Sequence, residues 1–170
     1  MSATQIDFAQ LFRDHYHSVY RYVRYRVDED SVAEDLTSEI FERAFRAHTT
    51  FNPQRAAFST WIGQIAHNHV TNYLVSRSRR QAHEFVLSES DRLVSTELTP
   101  EAQLVKREAV QRLWGCLKLL SDRDREIIAL RFGADIGNKG IAERLGLKER
   151  SVSVIILRAL ERLRGCQERI

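Results

Sequence analysis

Residues 139–154 read KGIAERLGLKERSVSV, and the reading of this stretch decides the fold. Ala142 is small where two helices would cross, Gly146 can take the positive φ of a tight turn, and Leu145, Leu147 and Val152 are spaced to lock the pair together. This is helix-turn-helix geometry, in which the second helix enters the major groove of duplex DNA by its leading end. Arg150, Ser151 and Ser153 lie near that end, while Lys139, Arg144, Lys148, Arg158 and Arg162 are placed for phosphates. A plain helical hairpin would share the apolar pattern. The Gly146 spacing and the basic excess of the segment favour DNA.

Working outward, the rest of the chain also reads as helix. Before Pro100 only Gly63 and Pro53 interrupt it, and strand-like alternation is absent. A first helix is predicted from Asp7, with Gln10 three residues on and an apolar stripe of Phe8, Leu11, Phe12, Tyr16, Val19, Val23 and Val27. A second begins near Ser31, with Glu34 completing a capping box, and buries Ala33, Leu36, Ile40, Ala44 and Ala47. Phe51 to Phe58 reads as a loop initiated by Asn52-Pro53. Ser59 or Thr60 then caps a long third helix that runs out in Arg77, Arg79 and Arg80, with Trp61 on its apolar stripe. Residues 81–98 are polar and acidic and read as a linker. Thr99-Pro100 restarts helix, Ser121 with Asp124 caps another, and Gly133 ends it. The expectation is an all-α chain of two small helical domains, 1–80 and 99–170, joined by a flexible linker at 81–98. Each would bury only around 60% of its unfolded surface.

Across its 170 residues the net charge is +3, and its distribution is more informative than its size. Residues 1–80 carry ten basic and nine acidic side chains, 81–100 one and four, and 101–170 fifteen and ten. Eight of the nine acids in the first block lie between Asp14 and Glu42, and none occurs from Arg43 to His83. An acid-free stretch bearing arginines among Phe45, Phe51, Phe58, Trp61 and Tyr73 has the composition of a nucleic-acid surface, because cations meet phosphates and ring faces stack on bases.

Other classes are excluded. No apolar run approaches the roughly 20 residues of a bilayer span, and the N-terminus lacks the basic flank and apolar stretch of a secretory signal, so a cytoplasmic location is expected. Cys116 and Cys166 are too few for a disulfide scaffold and have no metal-ligand spacing; they read as packing residues. His15 with His17, and His67 with His69, are two apart on helices and point away from each other rather than onto one metal. His69 is expected on the packed face and His67 nearer solvent. No zinc-protease motif, phosphate-loop glycine run or nucleophile elbow is present, so neither an enzyme nor a cofactor is expected.

In order and spacing, the acidic second helix (AEDLTSEIFERAF), the loop with its Trp-bearing helix (FNPQRAAFSTWIGQIAHNHVTNYLVSRSRR), a linker, and LSDRDREIIALRF ahead of IAERLG and RALERLR resemble a bacterial extracytoplasmic-function (ECF) sigma factor. These are the smallest members of the sigma-70 family, with regions 2 and 4 only, and the resemblance covers about residues 7–80 and 100–165. It implies a non-catalytic subunit that binds core RNA polymerase and directs promoter recognition and transcription initiation. Glu34, Asp35, Ser38, Glu39 and Arg43 would dock on the clamp helices of the largest subunit, and the flap of the second-largest subunit is a further implied contact. The loop residues Asn52, Pro53, Gln54, Arg55 and Ala56 would capture an unstacked base of the minus-ten element. Gln64, Asn68, Asn72, Arg77, Arg79 and Arg80 would hold the non-template strand. The helix-turn-helix would read the minus-thirty-five element as duplex. An anti-sigma factor, which holds many relatives, is another implied partner, and the linker would either thread toward the polymerase channel or serve as a solvated tether.

This chain departs from the family in having Ser153 and Ile155 where basic residues are common, an apolar run Val154-Ile155-Ile156-Leu157, and Ser38 in place of a usual glutamine. The competing reading is a LuxR-type regulator, which shares the helix-turn-helix. Its first half would be a receiver or ligand-binding sheet domain, and residues 1–80 show neither. An interaction adaptor of two helical modules is a third reading, and it predicts no salt-sensitive DNA binding.

Overall fold

The computed structural model describes residues 7–81 and 110–168, and among these every regular element is helical. Helix α1 spans Phe8–Arg26 and opens on Asp7, whose carboxylate accepts the Gln10 backbone N–H at 3.1 Å. Helix α2 spans Asp30–Arg46, and here the expected capping box of Ser31 and Glu34 does not form. Arg24 takes Asp30 as its ion-pair partner and donates to the Val27 carbonyl at 3.0 Å, so the chain reverses early and Glu29 occupies the cap position. A short 3-10 turn at His48–Thr50 and a loop lead into α3, Phe58–Gln81, which starts just before the expected caps Ser59 and Thr60.

The second half begins with the helical residues 110–117, here α4. Helix α5, Asp122–Ile128, is capped by Ser121, whose hydroxyl accepts the Asp124 N–H at 3.1 Å, and passes directly into a π turn at Ala129–Gly133. Then come α6, Asn138–Leu145, and α7, Glu149–Gln167, hinged at Gly146 with φ of 64°. The linker expected at 81–98 and the Thr99-Pro100 start lie outside the described residues, apart from the end of α3 at position 81.

The two helical halves pack against each other. Val19, Tyr22, Val23, Leu36, Ile40, Ile62 and Val70 from α1–α3 share one buried cluster with Ile127, Ala129, Leu130, Ile141 and Val152 from the second half. Each valine, leucine or isoleucine among them contributes about 1.5–3 kcal/mol on burial, so joining the halves supplies apolar contact that neither would have alone. Gly133 makes the approach possible. A Cβ there would lie 2.8 Å from the Tyr22 backbone, closer than side-chain atoms are found, so this position has no room for another residue. The helical run ends at Gly133 as read from the sequence, and the glycine also serves close packing against α1.

Cys116 and Cys166 are not merely packing residues. They form a disulfide joining α4 to α7 across 50 residues of chain, with Cα atoms 5.8 Å apart. The bond crosses a second, smaller cluster of Leu117, Leu120, Ile128, Ala159 and Leu163. Two cysteines so far apart in sequence give no pairing signal until the helices bring them side by side.

Candidate nucleic-acid interface

Three surfaces carry the candidate residues. On α2 the inward stripe of Ala33, Leu36, Ile40 and Ala44 is buried, which leaves Glu34, Asp35, Ser38, Glu39 and Arg43 exposed along the opposite side. Ser38 donates back to the Glu34 carbonyl at 2.9 Å, which turns its hydroxyl toward its own helix. Glu39 is held by His69 of α3 at 2.6 Å.

Between α2 and α3 lies a groove of about 570 Å³, lined by Asp35, Glu39 and Arg43 on one wall and Asn68, Asn72 and Arg80 on the other. The loop before α3 is pre-shaped: Asn52 accepts the Gln54 N–H on its side chain at 2.9 Å and the Arg55 N–H on its carbonyl at 3.0 Å. This leaves Asn52, Pro53, Gln54 and Arg55 exposed and Ala56 half-buried. On α3, Gln64, Asn68 and Asn72 follow the four-residue helical repeat along the exposed side, and Gln64 donates to Asn68 at 3.0 Å. Arg79 and Arg80 are exposed at the end of the helix, and Arg77 lies 3.6 Å from Glu29. Trp61 is half-buried against Phe51 and Phe58, with ring centroids at 5.3 and 5.5 Å.

In the helix-turn-helix, the left-handed Gly146 turns the chain, and Lys148, Arg150, Ser151 and Ser153 are exposed at the start of α7, with Arg158 and Arg162 further along. Ser153 accepts from Asn138 at 3.0 Å, Arg162 pairs with Asp124 at 3.0 Å, and Lys139 is exposed. The apolar run divides: Ile155 and Ile156 pack on the large core, while Val154 and Leu157 remain 39% and 59% exposed. Arg144, expected at phosphate, reaches instead toward the first half in this structure. It is half-buried, donates to the Thr60 carbonyl of the first half at 3.2 Å, and lies against Gly63.

Sequence reasoning missed the polar centre of the junction between the halves. Glu126, on the inward side of α5, is buried within a cup from the first half. The Tyr22 hydroxyl donates to Oε1 at 2.9 Å, His67 Nδ1 lies at 2.9 Å from the same oxygen, and Arg26 Nε is 2.7 Å from Oε2. The Arg26 contact is one of charge, since neither of its two atoms has a well-directed hydrogen bond. Burial alone would raise the Glu126 pKa, but the His67 bond, the Arg26 charge and the Tyr22 hydroxyl outweigh it and hold the carboxyl below its usual range. Beside it Arg125 donates to the Tyr25 carbonyl at 2.6 Å and pairs with Asp28 at 3.0 Å. Burial lowers the Arg125 pKa. His67 is nearer solvent than His69, as expected, at 23% against 12% side-chain exposure, and still reaches Glu126 of the second half. The available signal was a carboxylate at 126 directly before the apolar pair Ile127 and Ile128, on the stretch of α5 that faces inward.

A helical bundle with an exposed acidic helix and an exposed carboxamide row, joined to a helix-turn-helix, is an all-α arrangement of the kind found in DNA-binding proteins. Family models for sigma-70 region 2 and sigma-70 region 4 match residues 11–80 and 116–165. The ECF RNA polymerase sigma factor BldN of Streptomyces coelicolor is 31% identical over 156 residues, covering 92% of this chain and 58% of its own length. The ECF RNA polymerase sigma-E factor of Haemophilus influenzae is 30% identical over 133 residues, 75% of this chain and 70% of that protein. Among solved structures, the sigma factor RpoE from Bartonella quintana, in complex with the anti-sigma factor NepR, is similar with a TM-score of 0.75, 18% identity and 95% and 97% of the two chains covered. The chain belongs to the sigma-70 family and, within it, to the ECF group.

Proposed function

We propose that the chain is the promoter-specificity subunit of RNA polymerase, acting in the cytoplasm without catalysing a reaction itself. The observation that carries this reading is the placement of three exposed surfaces on one helical scaffold: the acidic side of α2, the Asn52 loop with the Gln64-Asn68-Asn72 row, and the start of α7. Glu34, Asp35, Ser38, Glu39 and Arg43 dock on core polymerase. The loop and α3 take the melted minus-ten strand, where carboxamides read base edges and Arg77, Arg79 and Arg80 neutralise phosphate. The start of α7 reads the minus-thirty-five duplex through Arg150, Ser151 and Ser153. An anti-sigma factor is a further partner, supported by the complexes in which similar structures are held, RpoE with NepR and CnrH with CnrY. Among the described residues no helix is long and apolar enough to cross a membrane.

The direct test is reconstitution with core polymerase on a library of promoter fragments. Defined start sites that depend on this chain are expected; none, with an active core, would overturn the proposal. Asn68→Ala should impair opening more than core binding, and Asp35→Ala should weaken core binding first.

A further inference from the structure

We propose that His69 is a positioning residue, which holds the Glu39 carboxylate in the place where core polymerase takes it. The proposal rests on the reading of Glu39 as part of the docking side of α2. His67 and His69 are two apart on α3 and part company there, His67 turning to Glu126 and His69 to the neighbouring helix. His69 Nε2 lies 2.6 Å from Glu39 Oε2, a bond that crosses the groove of about 570 Å³ between α2 and α3. It runs from the wall that carries Asn68 and Asn72 to the wall that carries Asp35 and Arg43.

The two partners differ in freedom. The imidazole is a stiff ring with two rotatable bonds, and its side chain is 12% exposed. Glu39 has three rotatable bonds and is 54% exposed. Left to itself such a side chain samples many rotamers, and docking on a partner surface would freeze them at a cost in entropy. A bond already made in the free chain removes that cost before polymerase arrives. The usual helical partner of Glu39 would be Arg43, one turn on along α2, which is itself a long, exposed side chain. The partner formed is the anchored ring of α3 instead. An ionised carboxylate only accepts, so Nε2 carries the proton, and the neutral ring suffices for the bond. Position 69 therefore needs an N–H at the reach of Nε2 rather than a charge.

The test is equilibrium binding of the full chain to core polymerase, with His69→Gln and His69→Asn compared. A glutamine amide extends about as far as Nε2, whereas an asparagine amide stops near the place of Nδ1. His69→Gln should bind within about twofold of the wild type and His69→Asn roughly fivefold more weakly, the scale of one long side chain's rotamer freedom. Adding Glu39→Ala to each closes a double-mutant cycle. On that background the residue at 69 should no longer matter, because nothing remains to be positioned, whereas a defect in folding or packing at 69 would persist. Wild-type affinity in His69→Asn, equal losses in the two variants, or a His69→Asn loss that survives without Glu39 would overturn the positioning role. A wild type that binds no core polymerase would instead overturn the proposed function. A wild type that binds, yet is unaffected by Glu39→Ala, would remove Glu39 from the docking side and the role of His69 with it.

Discussion

Tyr22, Val23 and Leu130 sit in a core that both halves of the chain build together, whereas Leu117, Leu120 and Leu163 form a smaller cluster crossed by the Cys116–Cys166 bond. The first gathers side chains from α1, α2, α3, α5, α6 and α7, and noncovalent contacts close it. The second has six buried members, one of them a bonded cysteine, which is too little apolar surface for a stable fold of its own. The contrast teaches that the second half draws on two sources of order: the first half, through Leu130 and Ile141, and a covalent staple, through α4 and α7. The two tryptophans can report on them separately, since Trp61 lies against the large core and Trp114 against the small one.

The largest effect is expected at Leu130, fully buried in the shared core. Leu130→Ala should cost about 2–5 kcal/mol. Trp61 and Trp114 fluorescence should both shift to lower denaturant midpoints, and a change confined to Trp114 would show that the core is not shared. Next is Cys166→Ser. Closing a 50-residue loop stabilises by up to about 4 kcal/mol in the chain-entropy account, so the Trp114 transition should fall while that of Trp61 moves less. Reducing agent should reproduce this in the wild type and change nothing in the variant. Ser121→Ala removes the acceptor for the Asp124 N–H and should cost about 1 kcal/mol, seen as a modest drop in melting temperature.

The smallest effect is gradual. Glu126 has a folded pKa below that of an exposed carboxyl, so its contribution to the junction is complete above the ordinary carboxylate range and is lost as pH falls through the folded value. Tyr22, Arg26, His67 and Arg144 face it, and only its own protonation removes the negative charge they share. Acid titration should loosen the junction, read as Trp114 leaving Arg24, before helix is lost. Glu126→Gln should flatten that titration.

Much of the fold was legible because it depends on local chemistry. The Asp7 and Ser121 caps and the Gly146 turn arise from residues three or fewer apart, and they stand as expected. The α2 start falls within one residue of the expected Ser31, but its cap was misread, because Arg24 outside the helix, rather than Ser31 and Glu34 within it, holds the turn. For the candidate site, helical periodicity sufficed to predict the exposed row of Gln64, Asn68 and Asn72, since it needs no knowledge of a neighbour. The Glu126 cup, the redirected Arg144 and the disulfide were not legible. Each joins residues 50 to 104 positions apart, and nothing in a single sequence says which faces of two helical modules will meet.

The π turn at Ala129–Gly133 also governs how the chain tolerates insertions and deletions. A π turn holds one residue more than an α-helical turn over the same rise, and each residue of an α-helix rotates the downstream chain by about 100°. Deleting any one residue there would regularise the helix and swing α6 and α7 around it, carrying the Gly146 elbow away from α1. Substitutions at Arg131 or Phe132, whose side chains are half-buried and exposed, should be borne easily, while a single-codon deletion beside them should be as damaging as losing the helix-turn-helix outright.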